Sequence, residues 1–301
     1  MMVMDDNRNF SIRRSAGIFV GIVVHSLFAI TVYYLVGFLQ GGPPQPSRVS
    51  ATVNALLALQ FSVVHSLLLW PGVRRRLERS IGAAFYGLFF CAMTCATLLL
   101  TIYYWQVGSW AVWQLIGWPR TLMQTAFIGA WVVLLYSLSL NGLGYQTGWT
   151  PWWHWVRRLP LPRREFKPRG AYLYLRHPVY LSFLGLVWFT PDMTSDRAVL
   201  TAVWTVYIFI GSYLKDLRLL HYLGDRYRQY QAQVPGYPGV FLGPLARRQA
   251  LAVRIVQPVV TSVQLAADKL DDQVRERVAE DYRDSAAQAY SNASTSCYLM
   301  H

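Results

Sequence analysis

The stretch Tyr172–Gly185, "YLYLRHPVYLSFLG", is close to membrane-grade sequence, yet Arg176, His177 and Pro178 sit at its centre. Proline in the first turn of a helix loses no hydrogen bond, because the N–H it lacks has no intrahelical partner there. The stretch therefore reads as a helix starting near residue 178 with a guanidinium and an imidazole at its mouth. Beyond it comes a turn, "TPDMTSD" at 190–196, and then a run without charge at 198–214. So short a connection makes the two apolar runs an antiparallel helical hairpin.

Upstream of this hairpin the same texture repeats. Apolar segments occur at about 16–39, 52–70, 81–104 and 121–143, followed by the hairpin's own 179–191 and 198–214. A membrane helix needs roughly 17–25 apolar residues. Five segments meet that length, while 179–191 spans only if Tyr172–Leu175 are included, or else forms a re-entrant or tilted helix. The expected fold class is all-α: a polytopic integral membrane protein of about six helices, with a cytoplasmic amphipathic helix and tail. Composition agrees. The chain is 54% hydrophobic and 14% charged, where a soluble domain carries about a quarter charged residues.

The net charge of +13 would fit a nucleic-acid partner, but its distribution excludes one. With the N-terminus inside, fourteen basic residues fall in the inner segments: Arg8–Arg14, Arg74–Arg79 and Arg157–Arg176. The outer loops hold three, Arg48, Arg120 and Arg197. That is the positive-inside pattern of a membrane protein with both termini cytoplasmic. The first run is too long for a signal-peptide core. Cys91 and Cys95 sit four apart in an apolar run and Cys297 lies near the end. That spacing offers neither a disulfide framework nor a metal site, and reads as two small buried hydrophobes.

After residue 215 the sequence predicts an amphipathic helix with apolar positions at 217, 219, 220, 223 and 227, stopped by Pro235 and Pro238. From about 244 the chain turns polar, with a membrane-surface stretch at 250–260. The sequon "NAS" at 292–294 falls inside on this topology, and "CYLM" at 297–300 is followed by His301 where a prenylation box must be terminal. The expected divisions are 1–15 (cytoplasmic N-terminus), 16–143 (membrane region), 144–178 (basic loop), 179–243 (hairpin and cytoplasmic helix) and 244–301 (tail).

Chemistry concentrates at one end of the hairpin. A helix N-terminus next to Arg176 and His177 favours a carboxylate or phosphate. The hairpin brings Lys215, Asp216 and Arg218 beside residues 172–180. Tyr172, Tyr174, Tyr180, His177 and Trp188 add aromatic surface, and Asp216 an acceptor for hydroxyls. The bland alternative is a positive-inside anchor, a helix start signal and an interfacial ion-pair cluster of under about 1 kcal/mol.

"GAYLYLRHPVYLSFLGLVWF" at 170–189 and "LLHYLGDRYRQYQAQVP" at 219–235 together resemble the isoprenylcysteine carboxyl methyltransferase superfamily. Its pattern is Gly-x-Tyr, Arg-His-Pro-x-Tyr, a helical hairpin, an acidic pair, then Gly-x-x-Tyr-x-x-Tyr and Val-Pro. "LQFSVVHSLLLWPGVRRRLERSIGAAFYGLF" at 59–89 and "FTPDMT" at 189–194 resemble the branch containing methanethiol S-methyltransferases and NnrU-like proteins. The likeness covers roughly residues 50–243.

The resemblance implies S-adenosylmethionine bound on the cytoplasmic side and a small thiol or lipid-like thiol or carboxylate as acceptor, reached from the membrane lipid. It implies neither an obligate protein partner nor a metal. Carried over residue by residue, the cofactor-binding positions are Arg164, Glu165, Phe166, Lys167, Tyr172, Arg176, His177, Pro178, Val179, Tyr180, Lys215 and Asp216. The pattern departs at Lys215, where the family has the first of two glutamates; Asp216 keeps the second acidic position. His65, beside Ser66 in the upstream segment, is the catalytic candidate, and His25 is expected to be a neutral residue satisfied by another helix. Two other readings stand beside this one: an NADPH-dependent membrane reductase using the basic loop 157–169, and a non-enzymatic NnrU-like accessory protein.

Overall fold

The computed structural model describes residues 2–41, 50–162, 165–247 and scattered helical positions between 269 and 280. Arg163, Arg164, the stretch 250–260, the sequon and the "CYLM" tetrapeptide lie outside the described residues. The chain divides into two compact units, Met1–Arg248 and Gln249–His301, and the account below concerns the first.

Uninterrupted apolar runs give the long helices: α1 (Met2–Gln40), α2 (Ala51–Leu69), α4 (Ala83–Tyr104), α5 (Trp118–Asn141) and α9 (Ser195–Leu223). Each is long and apolar enough to cross a membrane. Their outward residues are large and apolar, among them Phe19, Leu56, Ile128, Val132 and Val206. Such a surface is stable only against lipid. α1 continues through the polar N-terminal residues, which the sequence reading left outside the first span.

α8 (Pro178–Trp188) has 11 residues, about 16 Å of rise, half of a bilayer core. Among the described residues five helices have spanning length, and α8 is the short sixth for which the sequence left a re-entrant or tilted helix open. Pro178 starts α8 as the sequence predicts. The hairpin is real: Tyr180 donates to the Gly211 carbonyl (3.4 Å), Thr201 to that of Val187 (3.0 Å), and Trp188 Nε1 to Thr205 Oγ1 (3.0 Å).

The chain is extended at Asp192–Thr194, where its polar backbone is satisfied by a two-stranded sheet absent from the all-α expectation. β1 (Ala111–Gln114) pairs antiparallel with β2 (Asp192–Thr194), Ala111 opposite Thr194 and Gln114 opposite Asp192. The Leu115 N–H adds a bond to the Pro191 carbonyl (2.9 Å).

Cross-links sort the helix ends onto two faces. On the first, Arg197 donates to the carbonyls of Phe38 (2.6 Å) and Leu39 (3.0 Å) at the end of α1. Asn54, at the start of α2, exchanges bonds with the Gln106 backbone after α4. On the second face, Arg14 donates to the Val156 carbonyl (2.8 Å), and two surface helices lie between spans. α3 (Pro71–Ile81) carries Arg74, Arg75, Arg76 and Arg79 and buries nothing. α7 (Trp149–Arg157) follows the one-turn α6 (Leu143–Gln146) and buries Trp152.

Three apolar clusters hold the unit together. Leu39, Ala58, Leu134, Leu186 and Trp204 join α1, α2, α5, α8 and α9. Val24, Leu88, Cys91, Cys95 and Trp152 join α1, α4 and α7, so both cysteines are buried on one helix face. The third sits beside the site, where Tyr227, Tyr230 and Val234 meet Phe166, Leu219 and Leu223. Here α9 ends at Gly224, whose φ of +54° only glycine adopts without strain. α10 (Asp225–Gln233) then turns back. The predicted amphipathic helix is thus the last part of α9 plus a separate short helix.

Candidate active site

The hairpin's open end, on the second face, gathers the residues singled out from sequence. His177 caps α8 and Asp216 lies twenty-one residues into the twenty-nine-residue α9, so the two meet as α9 nears its end. The Asp216 carboxylate takes Arg176 Nη2 at 3.1 Å and His177 Nε2 at 3.2 Å, with all three side chains no more than 3% exposed. The Tyr227 hydroxyl donates to its Oδ1 at 2.5 Å. Tyr227 is the first tyrosine of Gly-x-x-Tyr-x-x-Tyr. The second, Tyr230, donates to the Tyr172 carbonyl at 2.5 Å. The spacing of three places both hydroxyls on one face of α10, directed at the two segments they tie down.

Arg176 was expected at an interface, yet it is fully buried. Its N–H bonds the Pro235 carbonyl (2.9 Å), and its guanidinium reaches the carbonyls of Gln231 (3.3 Å) and Pro244 (3.3 Å). Residues 235–246 form a strap over it. The strap is closed by the Gly236 N–H on the Leu245 carbonyl (2.8 Å) and by Tyr237 paired with Ser212. A Cβ on Gly236 would meet that carbonyl at 2.6 Å and the His177 ring at 3.1 Å, so only glycine closes the strap. The sequence reading stopped at residue 243 and missed it; the "VPGYPG" run was the available signal.

Burial lowers His177 to about 4, against the pull of the Asp216 carboxylate. The imidazole is neutral at pH 7 and serves as a fixed polar group. Burial raises Tyr172, Tyr227 and Tyr230 above the ordinary tyrosine range, keeping them protonated donors. Among the described residues, His177 Nδ1, Arg176 Nε and both amide atoms of Gln231 are buried without a hydrogen-bond partner. Buried orphans are few in native proteins; others lie away from this site, at His25 Nε2, Trp131 Nε1 and Thr194 Oγ1, but they gather most densely here.

The remaining candidates divide. Lys215 sits between the Tyr172 and Tyr180 rings and donates to the Arg176 carbonyl. Pro178 is buried and Val179 packs into the main core. Phe166 packs edge-on against Tyr227 and Tyr230, while Glu165 and Lys167 on either side are exposed. His65 is on α2, not on the hairpin. Its ring touches Phe61 and Phe90, and its Nδ1 lies 3.4 Å from Thr94 Oγ1. Phe61, beside His65, packs against Trp204 and Tyr207 of α9, which connects the α2 wall to the hairpin. His25 is elsewhere, against Trp149 and Trp152, bonded to the Gly21 carbonyl (2.7 Å).

Comparison with known proteins gives relatives over most of the chain. It is 30% identical to methanethiol S-methyltransferase 1 of Bradyrhizobium diazoefficiens, across 71% of this chain and 79% of that one. It is 29% identical to methanethiol S-methyltransferase of a Pseudomonas species, across 73% and 88%. It is 26% identical to nurim of Danio rerio, across 62% and 72%. No family model matches the chain, and no solved structure does.

Proposed function

The chain belongs to the isoprenylcysteine carboxyl methyltransferase-like family, with the methanethiol S-methyltransferases and nurim, and from that membership we propose a membrane methyltransferase that uses S-adenosylmethionine to methylate a small thiol. The observation that carries this reading is the polar cluster at the open end of the hairpin. It is built from the family-like motif and held rigid by buried bonds.

The residues there fit the donor. Orphaned polar atoms on His177, Arg176 and Gln231 match a ligand rich in amino, carboxylate and purine groups. The faces of Tyr172 and Tyr180 match its ring and its onium centre. S-Adenosylmethionine supplies an activated methyl group on a sulfonium. Tyr172, His177 and Tyr180 would form its walls, with Glu165 and Lys167 at the mouth. Arg176, Tyr227 and Tyr230 are positioning residues, fixing Asp216 and the Tyr172 backbone. On the α2 side, His65 is the residue that would take a thiol proton, at Nε2, because Nδ1 faces Thr94. A half-length α8 beside full-length spans gives a small apolar acceptor a route from the lipid. The asymmetry of basic residues supports a cytoplasmic site with both termini inside, and the likeness to bacterial methanethiol S-methyltransferases supports a bacterial inner membrane.

The relatives' names favour this over an NADPH-dependent reductase or an accessory protein. The test is headspace detection of dimethyl sulfide from the purified chain given methanethiol and S-adenosylmethionine. Product that disappears in His177→Ala and falls at least tenfold in His65→Ala supports the reading. No product from any small thiol, together with no S-adenosylhomocysteine binding by calorimetry, overturns it.

A further inference from the structure

The side chain of Lys215 occupies an unusual position. Its Nζ lies 5.4 Å from the centroid of the Tyr172 ring and 5.6 Å from that of Tyr180, and 3.3 Å from the Arg176 carbonyl oxygen. The two rings come from different elements, the turn at Gly170–Leu173 and helix α8. The neighbouring Asp216 gives its carboxylate to Arg176, His177 and Tyr227. Among the described residues Lys215 reaches no carboxylate within 4.0 Å, and the Arg176 carbonyl is the one acceptor shown for an ammonium with three donors. Aromatic faces with a carbonyl oxygen and no full counter-charge are the surroundings that recognise alkylated onium ions.

We propose that Tyr172, Tyr180 and the Arg176 carbonyl form an onium cage, and that Lys215 is a tethered cation filling it. The inference rests on the methyl-donor reading and deepens it. A sulfonium must displace the ammonium to enter, against like-charge repulsion in a half-buried site, whereas the neutral thioether left after methyl transfer meets no such repulsion. Lys215 therefore sets the chain's preference between donor and product, weakening the hold on S-adenosylmethionine relative to S-adenosylhomocysteine.

The test is calorimetry on the full chain in detergent, wild type and Lys215→Met, with three probes: S-adenosylmethionine, S-adenosylhomocysteine and trimethylsulfonium. The expected result is wild-type binding of S-adenosylhomocysteine at least tenfold tighter than of S-adenosylmethionine. In Lys215→Met the donor tightens at least tenfold, the product changes less than threefold, and trimethylsulfonium binding appears. Both nucleosides binding with a ratio unmoved by Lys215→Met would overturn the cage. If neither nucleoside binds either protein, the methyl-donor reading falls; trimethylsulfonium binding to Lys215→Met alone would still establish the cage, and its absence would end both. Should Lys215→Met fail to fold, Lys215→Gln takes its place, and equal wild-type affinities for the two nucleosides by themselves overturn the proposal.

Discussion

At the scale of single residues, the site is a carboxylate surrounded by buried donors. Asp216 carries one negative charge against Arg176, with neutral His177 and Tyr227 filling its other directions. Removing one partner of such a pair is far more harmful than the pair is helpful. His177 makes this visible as a pH effect. Burial holds its folded value at about 4 against an ordinary 6.5, so between those values the unfolded chain binds the extra proton. Stability is then full above pH 6.5 and falls as the pH drops toward 4, by about 3 kcal/mol if this group acts alone. Thermal unfolding in detergent across that window should show the loss, and His177→Gln should flatten it. The sequence made Arg176, His177 and Asp216 legible as a group because a hairpin must bring its ends together. It did not show that Arg176 is buried: the strap's carbonyls come from residues 235 and 244, and no local spacing encodes their return.

At the scale of elements, packing distances decide where helices can lie. α7 meets α4 through two glycines. A Cβ on Gly148, which has φ of +79°, would stand 2.3 Å from the Gly87 carbonyl carbon and 2.4 Å from Leu88 N. Both are backbone atoms, which cannot swing aside. Gly148→Ala should therefore lower stability by more than about 1 kcal/mol from backbone strain alone. The fall in melting temperature should be larger than for Gly129→Ala, where a Cβ meets nothing within 4 Å. The long helices were legible because unbroken apolar runs have one stable solution in a bilayer. α7 was read as loop because its tryptophans and arginines cancel in hydropathy. β1 and β2 were missed because strands of four and three residues, some eighty positions apart, have no periodic signature.

At the scale of the molecule, the cross-links at the helix ends sort by sidedness. The Arg197, Asn54 and β1–β2 contacts lie at one end, and Arg14, α3, α7 and the site at the other. The basic residues of the described loops crowd the second end, which supports the proposed orientation with that end inside. A cysteine placed at Ile116, 85% exposed after β1, should react with a membrane-impermeant maleimide on intact cells. One at Leu159, exposed after α7, should react only after lysis. The reverse labelling would turn the molecule over and put the site outside.

Half-length α8 also bears on how the chain is made. Eleven residues fall short of the membrane core on their own, so this segment should insert stably only together with its partner. α9 follows after only six residues, so the two are expected to enter the lipid as one unit. Synthesis arrested just after Thr194 should leave residues 178–188 open to protease in membrane vesicles, and extension through Leu223 should protect them. The ligand-holding end therefore closes only once the strap at 235–246 is made, so a nascent chain that stops short of it presents no finished site.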